Sequence, residues 1–311
     1  MALRLADSFP DIRRVPRVLW HVQDGVAEPA TDIGASHIPE VRNAARVSVI
    51  VCSRNPSQLA RFFQSLSPAV DPRHEFIIVA HQQSGRGSDL AEIAAKNGAI
   101  AVPYDGPFHF GIMNELGVAS STGSVLCLLN DDVYPTMSGW LERMVAQAVH
   151  CDVGVVGALL LYPNGVIQHA GVAVGGWHHP AHIGRGRVDS PYWPWLRTTR
   201  EVTAVTGACM VLRRSVWDEL GGFDVRFPVN YNDVDLCLRA GERGYRVLLE
   251  AEAILIHDES RTRIPTVRFE EADLLHARWS HVIGAPDKFF NPQFGTEDDS
   301  IQLPPPWTLV R

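Results

Sequence analysis

The chain has 311 residues, 46% hydrophobic and 20% charged, and its 28 Lys+Arg against 35 Asp+Glu leave a formal net charge of −7. This apolar fraction over this length supports one large α/β domain or two modest ones, and excludes intrinsic disorder, a collagen-like repeat and a disulfide scaffold. The acidic balance argues against nonspecific nucleic-acid binding, so no nucleic-acid partner is expected.

Five cysteines (Cys52, Cys127, Cys151, Cys209, Cys237) are scattered without a C-x-x-C pair. Three sit inside apolar runs and read as small buried hydrophobes of a reducing compartment. The opening segment MALRLADSFPDIRR lacks the apolar core and cleavage site of a signal peptide. The longest apolar run, Val153–Tyr162, falls short of the ~20 residues that span a bilayer. A cytoplasmic location is expected, and peripheral attachment to a membrane is compatible with it.

Residues 1–45, with Pro16, Pro29 and Pro39 around the short apolar stretch Arg17–Val22, read as an N-terminal extension. Regular order then begins. Arg46–Cys52 (RVSVIVC) is a β-branched run of buried-strand type, and Pro56–Leu66 has helical spacing at Leu59, Phe62, Phe63 and Leu66, with Pro56 suited to a first turn. The alternation continues with strand Glu75–Ala80, helix Ser88–Asn97, strand Ala99–Val102, a short helix Asn114–Ser121 and strand Ser124–Leu129. Helix Ser138–His150 and strand Val153–Leu161 follow. Continuous apolar strands alternating with helices predict a mostly parallel sheet covered on both faces, with ligands outside the carboxyl ends of its strands. No G-x-G-x-x-G follows the first strand and no P-loop motif exists.

Beyond Pro163 the pattern changes. Asn164-Gly165 predicts a hairpin turn, and Gly175–Trp195, rich in Gly, Pro, His and Trp, predicts a long loop of the kind that carries function. Its His178, His179 and His182 match no closed zinc site and read as contacts to substrate. Trp177, Trp193 and Trp195 could serve stacking against a ligand or ordinary packing equally well. Strand Val202–Leu212, helices Val216–Leu220 and Asn232–Gly244, an extended Tyr245–Ile256 and a final amphipathic helix Val267–Val282 complete the chain.

Three polar constellations sit where such a sheet would bind ligand. Asn130-Asp131-Asp132 follows an apolar strand, and adjacent carboxylates there need a cation or donors; hard Mg²⁺ or Mn²⁺ would suit them, whereas a plain loop start is the bland alternative. Asn232-Asp233-Val234-Asp235 opens a helix: Asn232 can cap it and the acids suit its dipole. Asp233 also precedes the apolar face of Leu236, Cys237 and Ala240, so it points inward as a candidate general base. His257-Asp258-Glu259-Ser260 follows another strand, where ligation by His257 is plausible.

Taken jointly, RVSVIVCSRN, YDGPFHFGIMNELGVASSTGSVLCLLNDDVYP, LLYPNGVIQHAGV, AVTGACMVLRRSVWDELGGFD and NDVDLCLRAGERGYRV resemble the inverting glycosyltransferases of family 2, over about residues 46–295. The subgroup they resemble builds bacterial O-antigens and other surface polysaccharides and includes rhamnosyltransferase-like enzymes. The resemblance implies a GT-A fold over 46–260, with a nucleotide-binding part at 46–133, an acceptor and catalytic part at 134–260, and a C-terminal helix and tail at 261–311. It implies a nucleotide-diphosphate sugar as donor and a saccharide or lipid-linked saccharide as acceptor. Asp132 matches the last aspartate of the DxD motif and His257 the histidine completing the metal site, for Mg²⁺ or Mn²⁺. Asp233 matches the catalytic base, with Asn232 in place of the preceding acid. Donor binding falls to Ser53, Arg54, Asn55, His81, Asn114, Asn130 and Asp131. His81 stands where the family usually carries an aspartate that reads the base, and Glu115 adds a charge near the site that the sequence does not explain. A nucleotidyltransferase would carry a glycine-rich basic segment after the first strand, which CSRNPSQ lacks. A non-catalytic sugar- or nucleotide-binding homologue is the remaining alternative.

Overall fold

The computed structural model describes residues 45–66, 71–175, 179–188, 194–259 and 268–291. The first strand, β1 (Val47–Ser53), shows how the sequence builds the core. Its period-2 alternation sends Val47, Val49 and Val51 to one face of the sheet and Ile50 to the other, all fully buried. Helix α1 (Pro56–Leu66) returns along the first face on Leu59, Phe62 and Phe63. The unit repeats through β2 (Glu75–His81), α2 (Gly87–Lys96), β3 (Ile100–Tyr104), α3 (Phe110–Ala119) and β4 (Val125–Asn130). The strands β1, β2, β3 and β4 are parallel, in the order β4-β1-β2-β3.

The second half comprises β5 (Val133–Pro135), α4 (Trp140–Ala148), β6 (Val153–Leu161), β7 (Ile167–His169), β8 (Val172–Ala173), β9 (Ala181–His182), β10 (Arg200–Glu201), β11 (Cys209–Arg213), α5 (Arg214–Leu220), α6 (Asn232–Glu242), β12 (Arg246–His257) and α7 (Phe269–Ile283). It extends the same sheet in the order β10-β12-β6-β11-β4. The β6 and β12 strands pair in parallel, whereas β11 runs antiparallel to both β4 and β6 and joins the halves. The long strands therefore share one direction, the mostly parallel α/β sheet the alternation predicts. One apolar layer gathers Leu59, Phe62, Leu90, Trp140 and Met144; the opposite layer gathers Met113, Trp217, Phe227, Leu236 and Trp279.

Three local expectations change. Helix α3 begins at Phe110, not Asn114, because His109 caps it, its Nδ1 accepting the Ile112 N–H at 3.1 Å. Only the end of Val202–Leu212 is strand. The backbone of Val202 bonds Val247, Ala204 bonds Val172 and Asn130 bonds Ala208, so the segment answers to three partners and forms no single ladder. Asn232 is no cap: Tyr231 precedes α6 in the left-handed region at φ 62°, and the Asn232 amide donates back to the carbonyls of Phe227 and Val229. The Asn164-Gly165 hairpin forms as predicted, with Gly165 at φ 81° and Asn164 Oδ1 accepting the Val166 N–H.

Candidate active site

Asn130 ends β4, His257 ends β12 and Asp233 opens α6, so strand and helix termini converge on one cavity of ≈ 370 Å³. Asn130, Asp132, Asp233 and His257 line it together with Thr206, Gly207, Asn230 and Arg185. Residues more than a hundred positions apart thus meet at the open ends of the strands, where ligands of such sheets bind.

Asp132 is buried and its Oδ1 lies 3.2 Å from His257 Nε2. The other ring nitrogen of His257 lies 3.0 Å from Gln168 Oε1, an acceptor, so Nδ1 carries a proton and Nε2 is turned to Asp132. A ring nitrogen and a carboxylate oxygen at that separation are held by a shared proton or by a cation bound to both. Among the described residues no group of three His, Cys, Asp or Glu side chains could hold a metal ion. Two protein ligands, one carboxylate and one imidazole, nevertheless fit a hard divalent ion that fills its shell with waters and substrate phosphates.

Asp233 is held differently. Its Oδ2 accepts the Gly207 N–H at 2.8 Å and its Oδ1 accepts the Val234 N–H at 2.8 Å. Gly207 permits that approach, since a Cβ there would come within 3.2 Å of the Phe110 ring and 3.4 Å of Asp233 Cβ. Burial raises the Asp233 pKa above the usual carboxylate value, with the Gly207 and Val234 hydrogen bonds foremost in opposing it. A fixed carboxylate with elevated basicity at a cavity wall can accept a proton from a hydroxyl.

The other predicted donor residues lie outside the cavity lining. Asp131 turns away from Asp132: its Oδ2 accepts the Ser53 hydroxyl at 2.6 Å and its Oδ1 the Gln58 amide at 3.1 Å. Burial pushes its pKa up to about 7, against the Ser53 bond. Arg54 is exposed, its guanidinium 6.0 Å from the Phe108 ring centre. His81 stacks on Tyr104, meets Phe108 edge-on and bonds the Gly106 carbonyl at 2.9 Å. Ser53, Arg54, Asp131 and His81 thus gather at the carboxyl ends of β1 and β2, beside the cavity. The Asn55 side chain caps α1, accepting the Ser57 and Gln58 N–H groups. The buried Asn114 amide donates to the Phe110 carbonyl within α3.

Glu115, unexplained by sequence, is not part of the cavity lining. It accepts the Phe223 N–H at 3.1 Å and lies against Gly222, whose φ is 66° and whose missing Cβ leaves the space it occupies. Asp235 is structural too, its carboxylate shared by Arg239 and the Trp279 indole. Trp195 packs between Arg200 and Phe290; Trp177, His178 and Trp193 lie outside the described residues. Beyond Glu259, which stands in the His257-Asp258-Glu259-Ser260 constellation, the lining and supporting residues Gln168, Thr206, Gly207 and Arg185 went unread in the sequence. Only the polar pair Gln168-His169 inside the apolar run VIQHAGV carried a signal.

The glycosyltransferase-like family 2 model matches residues 44–281, and the chain belongs to that family. It is 30% identical over 336 aligned positions to the O-antigen biosynthesis protein RfbC of Myxococcus xanthus, an alignment covering 94% of this chain and 26% of that protein. The chain thus spans about a quarter of that relative's length. It is 28% identical to the N-acetylglucosaminyl-diphospho-decaprenol L-rhamnosyltransferase of Mycobacterium tuberculosis, over 69% of this chain and 76% of the relative. Among solved structures, the mannosyltransferase PcManGT from Pyrobaculum calidifontis, in complex with GDP-Man and Mn²⁺, superposes with a TM-score of 0.53 at 14% identity, covering 76% of this chain and 70% of that one. The fold is that of GT-A glycosyltransferases, and the chain carries a family 2 glycosyltransferase-like domain.

Proposed function

We propose that the protein transfers a sugar, with inversion, from a nucleotide-diphosphate donor to a hydroxyl of a saccharide acceptor in bacterial surface-polysaccharide synthesis. The observation that carries the reading is one cavity lined both by the facing pair Asp132 and His257 and by Asp233, pinned by backbone N–H groups. Asp132 and His257 would hold Mg²⁺ or Mn²⁺, and such an ion supplies positive charge to the departing diphosphate. Asp233 takes the proton of the acceptor hydroxyl as that oxygen bonds to the anomeric carbon. The bond from that carbon to the phosphate oxygen breaks, and the nucleoside diphosphate leaves with its electron pair. A single displacement from the face opposite the leaving group inverts the anomeric configuration, as in inverting hydrolases with a sugar hydroxyl replacing water. Ser53, Arg54, His81 and Asp131 would take the nucleotide beside the cavity, Asn130 the ribose; Asn55 and Asn114, each bonded to its own helix, would shape that region.

The names of the bacterial relatives support a saccharide acceptor, and the rhamnosyltransferase's name supports a lipid-linked one. Such an acceptor would bring the chain to the inner face of the membrane as a peripheral, cytoplasmic protein. Among the described residues no helix is long and apolar enough to cross one. The test is Asp233→Asn, assayed with a panel of UDP-, GDP- and dTDP-sugars in Mn²⁺. Transfer should fall by about 10²–10⁴-fold, the usual yield of a general base, while calorimetric binding of the donor persists. Full transfer by the variant would remove Asp233 from the role.

A further inference from the structure

Two histidines that this mechanism leaves aside meet at the cavity. His169 ends β7 and is fully buried; His182 ends β9 and lines the cavity wall. Their Nδ1 atoms lie 2.9 Å apart with the rings crossed at 76°, so one nitrogen donates and the other accepts. The backbone decides which. His169 Nε2 receives the Gly171 N–H at 3.3 Å and the Thr206 N–H at 3.4 Å. A ring nitrogen that accepts carries no proton, so neutral His169 bears its proton on Nδ1 and donates to His182. His182 Nδ1 is then the acceptor, and its own proton is on Nε2. Both rings are kept neutral at physiological pH. Burial, then His182, Arg200 and His257, hold His169 well below the usual value, while burial, Arg185 and His257 push His182 down to about 4. No described residue takes the Nε2–H of His182.

We propose that His182, locked by His169 in its Nε2–H tautomer, presents a neutral donor to the cavity and hydrogen-bonds an oxygen of the bound saccharide. A neutral N–H suits a hydroxyl or ring oxygen, whereas a phosphate would favour a cation. The placement is coupled to the base. Thr206, whose N–H fixes the His169 tautomer, is followed by Gly207, whose N–H holds Asp233, so proton acceptor and N–H donor share one backbone segment. The saccharide as ligand rests on the transferase reading; the tautomer does not. Its source, transferred sugar or acceptor, is what kinetics distinguish.

Long-range ¹H–¹⁵N spectra of the intact ¹⁵N-histidine protein at pH 7 should show His182 protonated on Nε2 alone and His169 on Nδ1 alone. A His182 proton on Nδ1, or on both nitrogens, overturns the proposal. In steady-state assays His182→Phe, which keeps a ring and drops the donor, should raise one KM by about three- to tenfold, the worth of a neutral hydrogen bond. His182→Gln, which restores an amide N–H, should recover part of it; both variants should stay folded at the assay temperature, although loss of the acceptor for the buried His169 N–H lowers the melting temperature of His182→Phe. A raised acceptor KM assigns the oxygen to the acceptor, a raised donor KM to the transferred sugar. Two unchanged KM values overturn the binding role. If the unmutated protein transfers from no sugar nucleotide, the transferase reading has failed by itself, and the nitrogen spectra still decide the tautomer.

Discussion

Carboxylates adjacent in sequence serve different ends because single-bond geometry aims them apart. Asp132 faces His257 in the cavity while Asp131 faces Ser53; Asp233 stands at the cavity wall while Asp235 is locked by Arg239 and Trp279. Asp224 shows the purely structural case. It accepts from Arg226 at 2.6 Å and from Arg278 at 2.9 Å, and the Arg226 hydrogen bond, foremost, holds its carboxyl far below the usual range. A folded-state pKa below the unfolded one gives stability that is present above about pH 4 and lost as pH falls below it. Asp224→Asn should therefore lower the melting temperature at pH 7, by the equivalent of about 1 kcal/mol given the exposure of Arg226. The gap from wild type should narrow toward pH 2. Melts showing an equal gap at both pH values would remove the ion pairs as its cause.

At the scale of elements, α7 shapes the cavity from behind. Buried Glu271 in its first turn accepts the Val229 and Asn230 N–H groups at 2.7 and 2.8 Å and the Asn230 side-chain amide at 2.6 Å. These bonds fix a loop that lines the cavity and ends at Tyr231, the one non-glycine among the described residues at positive φ. Such a conformation costs about 1–3 kcal/mol and persists only where its surroundings over-determine it. Glu271→Ala leaves three donors without their acceptor. It should cost about 2–4 kcal/mol of stability and lower kcat/KM as well, whereas Glu270→Ala on the exposed side of the same turn should do neither. Thermal melts and steady-state rates on the two variants check this; equal behaviour would take the loop-fixing role from Glu271.

For the whole molecule, β11 is decisive. Running antiparallel between β4 and β6, it fuses two parallel halves into one sheet, and β5, pairing antiparallel with the end of β12, then sets Asp132 beside His257. Asp132, Asp233 and His257 meet only in the folded chain, so a ligand that binds them stabilises that chain by mass action. On the proposed reading, Mn²⁺ with a nucleoside diphosphate at a hundred times its dissociation constant should raise the melting temperature by roughly 5–10 °C. Chelation with EDTA should reverse the shift, and Asp132→Asn should abolish it. An undiminished shift in that variant would move the ion elsewhere.

The sequence by itself determined the elements whose signal is local. Period-2 and period-3.6 apolar spacing marked β1 through β4, α1, α4 and β6 within a few residues, because each buries a face that its own side chains define. Strand ends and one helix start then pointed to Asn130, Asp132, Asp233 and His257, which line one cavity, and joint motifs named the family. Tertiary structure alone decided what depends on partners distant in the chain. It broke Val202–Leu212 into segments answering to different strands, put Glu115 against a glycine turn and turned Asp131 from the cavity. It also paired His169 with His182, thirteen positions apart, and set their tautomers by two backbone N–H groups. Hydrogen-bond direction is a property of three-dimensional neighbours, and no spacing rule encodes it.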